Sequence, residues 1–302
     1  KVPYGSVIIQ FSIILKLICM VFNFKNLSFM DVPQKAITFE DIKEIVSSNS
    51  TKRINFSSSH ARALKKYKDQ WKITLPFKES IQPIIKKEIG NDIDLFVSDY
   101  GGVWRSITNE EYNKWHDFIT RYKNIVFLRD CLDISLSLSM NIIENESRTE
   151  IGELEYQSKY NSNNDAEEQL VSLCEEWINK LPYYKDADLI CAVPSKTPDN
   201  LPQRIVDKLD ITATNISNTI LWTSKTRNVK DAENVEDKIS ILEESGFTIN
   251  NKEQLKNKVV ILFDDLYMSG VTLQYIAMKL KEAGVQRVLG LTIVKSRSNS
   301  TR

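Results

Sequence analysis

The chain has 302 residues, 42% apolar and 26% charged, which suits one large globular domain or two ordinary ones. Its 40 basic and 40 acidic residues cancel, which excludes a global electrostatic coat for nucleic acid or an anionic membrane, so any binding of polyanions has to be local. Cys19, Cys131, Cys174 and Cys191 stand far apart, with no histidine at zinc-ligand spacing, which argues against a disulfide scaffold and points to reduced thiols in a cytoplasmic protein.

From the amino end, residues 6–24 are rich in Ile, Leu, Val and Phe but are interrupted by Gln10 and Lys16. They lie near the lower limit for a span and no cleavage site follows, so no stable membrane insertion is expected. The chain starts at Lys1 and globular patterning begins after Met30. Residues 1–29 therefore read as an over-extended reading frame, a short anchor or an ordered first strand. Residues 30–133 alternate helical and strand-like patches and carry no assignable family, with a helix-like stretch at 39–46. The basic run 62–72 holds Arg62, Lys65, Lys66, Lys68 and Lys72 with Tyr67 and Trp71 interleaved. It reads as a contact for a nucleic-acid strand or as a solvated helix face, the second being preferred. A strand-like stretch at 94–98 ends at Asp99-Tyr100-Gly101-Gly102. It faintly resembles the start of haloacid-dehalogenase-type phosphatases, but the second aspartate of that motif is missing, so a plain strand and turn is preferred.

Residues 134–302 are more regular. Residues 151–160 read as extended and 161–165 as a turn. Asn164 and Glu167 have capping-box spacing, and Ala166, Leu170, Leu173 and Trp177 share one helical face until Leu181-Pro182. Residues 189–193 form an unbroken apolar run, as in a strand covered on both faces, and Pro194 stops it. A helix at 202–209, a strand at 219–222 and a polar loop at 223–240 follow. A strand at 258–263, a helix at 271–283 with Leu273, Ile276, Ala277 and Leu280 inward, Gly284 as its cap and a strand at 287–294 make a parallel crossover unit.

The chemistry concentrates in residues 259–272, VVILFDDLYMSGVT. Asp264 and Asp265 are adjacent carboxylates at the carboxyl end of a parallel strand, where ligands bind in open α/β sheets. The following turn leads into a helix N-terminus. There the N–H groups of Met268, Ser269, Gly270, Val271 and Thr272 are placed to cradle a phosphate, Gly270 allows close approach, and Ser269 and Thr272 add hydroxyls.

This segment closely resembles the phosphoribosyl-pyrophosphate (PRPP) motif of type I phosphoribosyltransferases. The resemblance implies a doubly wound, mostly parallel α/β sheet over residues 134–302, beside an N-terminal α/β region of unknown fold. It also implies that Asp264 and Asp265 hold the ribose hydroxyls while the loop holds the 5-phosphate. Met268 departs from the family's threonine, which is expected to weaken one hydroxyl contact without abolishing phosphate binding, since that position contributes mainly its backbone N–H. Gly152 to Tyr156 with Lys159-Tyr160, and Cys191 to Lys196, are similar to the ComF-like subgroup, which makes Ser195 and Lys196 pyrophosphate contacts. The subgroup's cysteine-rich zinc module is missing. Residues 223–240 occupy the place of the family's mobile loop and carry Lys225, Thr226, Arg227 and Lys230. The implied catalytic set is Asp264, Asp265, Lys225 and Arg227, with Mg2+ held by Asp264 and Asp265 through water or PRPP. Together these neutralise the departing pyrophosphate. The implied function is a PRPP-dependent glycosyltransferase of nucleotide metabolism that displaces pyrophosphate with a nucleobase-like nitrogen nucleophile. The alternative is a non-catalytic PRPP- or nucleotide-binding regulator, or a DNA-transaction accessory of ComF-like type. PRPP and a small-molecule acceptor are the implied partners, with a homodimer and nucleic acid left open.

Overall fold

The computed structural model describes residues 32, 35–57, 63–143, 147–195, 197, 199–224 and 227–298, with Lys230 described in its backbone alone. The apolar stretch 6–24 and the readings of residues 1–29 lie outside the described residues, as do Cys19, Arg62, Lys196, Lys225 and Thr226. Residues 34–302 form one compact unit of mixed α/β architecture. Among the described residues there are eight α-helices, none long and apolar enough to cross a membrane.

The centre is a seven-stranded sheet. Its strands are β1 (Arg53–Asn55), β6 (Val126–Leu128), β7 (Ile134–Met140), β8 (Leu189–Ala192), β9 (Thr214–Asn215), β12 (Val259–Tyr267) and β13 (Arg287–Lys295), in the order β1-β6-β7-β13-β12-β8-β9. β7, β13, β12, β8 and β9 run parallel, whereas β6 and β1 add on antiparallel. All nine positions of β13 and all four of β8 are buried. Both faces of these strands are therefore covered, which is why their sequences read as continuous apolar runs. The expected boundary between 133 and 134 does not coincide with a break in this sheet, since β6 on one side pairs with β7 on the other.

Helix α8 (Val271–Glu282) connects β12 to β13 and buries Val271, Leu273, Tyr275, Ile276, Met278 and Leu280. Each such large apolar side chain removed from water contributes roughly 1.5–3 kcal/mol before entropy is counted. Helices α1 (Phe39–Ser47) and α7 (Val235–Glu244) pack on α8, so residues on both sides of position 133 share one core. Cys131, Cys174 and Cys191 are buried free thiols. Burial pushes Cys131 and Cys191 up to about 12, which leaves them as inert core residues.

Residues 151–160 are not extended but lie in helix α4 (Glu150–Tyr160), whose N-cap Thr149 accepts a hydrogen bond from the Gly152 amide at 2.9 Å. Its inward positions are Gly152, Glu155 and Ser158, so the helix has no apolar stripe to show its period. The next helix, α5 (Asn164–Lys180), is capped by Asn163 rather than Asn164. Its buried stripe runs through Leu170, Val171, Cys174 and Ile178, leaving Leu173 and Trp177 only partly covered.

The basic run is no helix face. It forms a hairpin of β2 (Leu64–Tyr67) and β3 (Gln70–Leu75), turning at Lys68 with φ +54°. With β4 (Phe96–Val97) and β5 (Val103–Ile107) the hairpin makes a separate antiparallel sheet, β2-β3-β5-β4. In β3 and β5, Ile73, Leu75, Val103 and Ile107 are buried, so alternate positions carry the apolar face; Lys72 lies on the other, whereas Arg105, paired with Ile73, shares the apolar side and binds Glu111 at 3.3 Å. The strand at 219–222 is β10 (Ile220–Trp222), which pairs with β11 (Phe247–Ile249) outside the main sheet. The polar excursion ends sooner than expected, because the Asn234 side chain accepts from the Asp237 amide at 2.8 Å and starts α7.

Candidate functional site

From β8 the chain moves outward to β9, whereas from β12 it moves the other way to β13. The order therefore reverses between β8 and β12, and a crevice opens beyond the carboxyl ends of these neighbours, where α/β sheets bind ligands. A cleft of about 700 Å3 lies there. Asp264, Asp265, Ser195 and Thr272 line it, together with Lys159, Tyr160, Arg204 and Trp222.

β12 runs on to Tyr267, which pairs with Lys295, so the two aspartates lie within the strand rather than beyond it. The Asp265 amide donates to the Asp264 carboxylate at 2.9 Å. Asp265 is buried and meets the Lys159 ammonium at 2.6 Å, while Lys159 also lies 3.5 Å from the buried Glu155. Burial works against the Lys159 charge, but Asp265 and Glu155 outweigh it and hold its pKa above the ordinary value. Burial raises Asp264, and the neighbouring Asp265 charge adds to that shift. Burial likewise raises Glu155, with Lys159 opposing. Lys159 thus sits between Asp265 of the cleft and the buried Glu155, with Asp264 beside Asp265, an arrangement able to accept hydroxyl hydrogen bonds. Glu155 and Lys159 were missed because their i, i+4 pairing exists only if 150–160 is a helix.

The turn after β12 is supported from below. Gly270 has φ +76°, and a Cβ there would stand 2.2 Å from the Tyr267 hydroxyl oxygen. That hydroxyl donates to the buried Asp130 at 3.1 Å. Burial raises the Tyr267 pKa, as does the Asp130 charge, so the phenol keeps the proton it donates. The fully buried Gln274 accepts from the Cys131 amide at 3.1 Å and donates to the Gly270 carbonyl at 3.2 Å. Residues from the loop after β6 therefore fix the turn. Gly270 is the N-cap of α8 and supplies no side-chain cap, so the first-turn amides of this 12-residue helix remain available to an anion. Met268, Ser269, Gly270 and Val271 form this turn and first helical position, and Thr272 follows into the cleft.

On the β8 side, the Val193 amide donates to the Phe263 carbonyl at 2.7 Å, bringing Val193, Pro194 and Ser195 beside the aspartates. Trp222 donates from Nε1 to the Pro194 carbonyl at 2.7 Å and stacks on Tyr275 with ring centroids 6.2 Å apart. This indole ties the β10–β11 ribbon to the cleft edge. Arg204, from α6 (Leu201–Lys208), donates to Glu167 of α5 at 2.8 Å and to the Ser158 carbonyl of α4 at 3.2 Å. Arg227 does not join the cleft lining. It makes a two-pronged bond to Asp237 at 2.8 and 2.9 Å, while its neighbours Asn228 and Val229 line the cleft.

Among the described residues no group of three or more His, Cys, Asp or Glu side chains is placed to hold a metal. A divalent ion at Asp264 and Asp265 would have to draw its remaining ligands from water and a bound anion, and Asp265 already meets Lys159 at 2.6 Å. A second cleft, of about 1400 Å3, is lined by Arg53, Leu138, Leu154, Trp177 and Arg297 among others, away from these aspartates.

No family model and no curated protein matches the chain. Among solved structures, a hypoxanthine phosphoribosyltransferase from Staphylococcus aureus aligns with 44% of this chain and 68% of its own, at 16% identity and a TM-score of 0.27.

Proposed function

We propose that this cleft binds PRPP and that the protein is a phosphoribosyltransferase of the type I kind, transferring the ribosyl group to a nucleobase-like nitrogen nucleophile. One observation carries the reading. The Asp264–Asp265 pair and Thr272, from the uncapped first turn of α8, line one crevice at the point where the strand order reverses. In this scheme Asp264 and Asp265 accept hydrogen bonds from the ribose hydroxyls, and Lys159 fixes the orientation of Asp265. The amides of the 268–272 turn, with the Ser269 and Thr272 hydroxyls, receive the 5-phosphate, while Ser195 and Lys196 meet the pyrophosphate. Asp264 and Asp265 would hold Mg2+, which would supply charge neutralisation for the departing pyrophosphate. Lys225 and Arg227 complete that neutralisation once Arg227 exchanges Asp237 for the ligand.

The Arg227–Asp237 pair favours a second reading, in which the cleft binds PRPP or a nucleotide without transferring it. Calorimetry with PRPP and Mg2+, followed by pyrophosphate release in the presence of a pool of bases, separates the two. Binding with release supports transfer, and binding without release with any base leaves only the sensor. The Asp264→Asn, Asp265→Asn double variant should lose the binding. Unchanged affinity in that variant removes the cleft from both readings.

A further inference from the structure

The four-stranded sheet β2-β3-β5-β4 presents a face that the phosphoribosyl chemistry does not use. Its register pairs Lys65 with Lys72, Tyr67 with Gln70, Thr74 with Trp104 and Phe96 with Trp104. Because Ile73, Leu75, Val103 and Ile107 fill the buried side, these paired residues share the outer side. Tyr67 is 66% exposed and Phe96 52%, large apolar rings left in water. Phe96 and Trp104 have centroids 5.8 Å apart, and the Lys72 ammonium lies 4.3 Å from the Trp104 ring centroid. The strand residues of this outer face include no carboxylate. Across residues 64–75 four lysines meet a single aspartate, Asp69, in a chain whose net charge is zero.

Exposed rings on several strands, interleaved with lysines, have a specific physical use. Every base has a π-face that stacks on an aromatic side chain whatever its identity, and each phosphate is met by an ammonium. A folded protein partner would favour an apolar patch without a dense cluster of lysines, since lysine is depleted at interface cores. A duplex hides its base faces and has no use for the rings. We infer that this face binds single-stranded nucleic acid, with Tyr67, Phe96 and Trp104 as stacking rings and Lys65 and Lys72 as phosphate contacts. The site is distinct from the PRPP cleft and does not depend on that reading.

The test is fluorescence anisotropy with short labelled oligothymidylate and oligouridylate strands on the full chain, at about 50 mM and about 200 mM salt. Tyr67→Ala and Phe96→Ala should each weaken binding by about tenfold. Both residues are exposed, so an unchanged melting temperature will show that the fold is intact. Lys65→Gln combined with Lys72→Gln should lower the slope of log affinity against log salt by about 1.4, at roughly 0.7 per phosphate contact. Tighter binding of one strand type would assign the nucleic acid preferred and support the proposal. No binding of either strand at the lower salt overturns it. It is equally overturned if the lysine variant loses binding while both ring variants bind like the parent, because that is polyanion attraction without stacking. Binding a duplex as tightly as a single strand also rules it out.

Discussion

Gly270→Ala tests the architecture of the turn with the least chemical change. The left-handed backbone at φ +76° costs an alanine about 1–2 kcal/mol. The new methyl would also stand 2.2 Å from the Tyr267 hydroxyl oxygen and 2.4 Å from its Cζ, so the ring has to move. Moving it breaks the bond to Asp130, and an acceptor left unpaired in a buried site costs about 1–3 kcal/mol more. The sum is about 2–5 kcal/mol, a fall of about 4 to 9 °C in melting temperature for a unit of this size. Gly101→Ala is the internal control. It has φ +89° with nothing within 4 Å of its Cβ, so only the backbone cost of about 1–2 kcal/mol applies. Melting followed by circular dichroism gives both values, and calorimetry with PRPP reports whether the turn still binds. If the two variants fall equally, Tyr267 does not support the turn. If Gly270→Ala melts and binds like the parent, the account of the phosphate loop is wrong.

Lys295 is fully buried at the end of β13, and burial, with Arg53 and Lys52 adding, lowers its pKa from 10.5 to about 7. Below about pH 7 it is protonated in both folded and unfolded chains and the full penalty is present. Between 7 and 10.5 the unfolded chain binds the proton while the folded one does not, so stability rises with pH. Relative to Lys295→Met, the parent should gain about 2–3 kcal/mol between pH 7 and pH 9 in urea titrations, and parallel curves would refute this. Trp222→Phe keeps a ring against Tyr275 but removes the Nε1 donor to the Pro194 carbonyl. It should cost about 0.5–1.5 kcal/mol and weaken PRPP affinity through the loosened 193–195 edge, whereas unaltered affinity would show that the indole holds the ribbon alone.

The 259–272 segment shows how far local sequence reaches. Two acids at a strand end, a glycine with a free helix start and an apolar crossover follow from nearest neighbours, and they are legible without a structure. Strands β8, β12 and β13 were equally plain, because strands covered on both faces must be apolar at every position. Helix α4 was misread because what it packs is polar. Gly152 approaches the Asn141 carbonyl so closely that a Cβ would lie 2.3 Å from it, and Glu155 faces Lys159 rather than a hydrocarbon core. Periodicity records apolar burial, and a helix that buries carboxylates leaves little such record.

By itself the sequence determined the paired acids and the glycine turn into a helix at residues 264–272, the parallel crossover from β12 to β13 and the apolar character of the central strands, because each depends on residues within a few positions of one another. Only the tertiary structure decided that Lys159 meets Asp265, that Tyr267 reaches Asp130 across 137 positions, and that Arg227 turns to Asp237 instead of the cleft. It also decided that the basic run is a sheet face bearing Trp104 and Phe96 from distant strands. These pairings bring together groups far apart in the chain, and their geometry depends on how the sheets stack and pair, which no local pattern encodes.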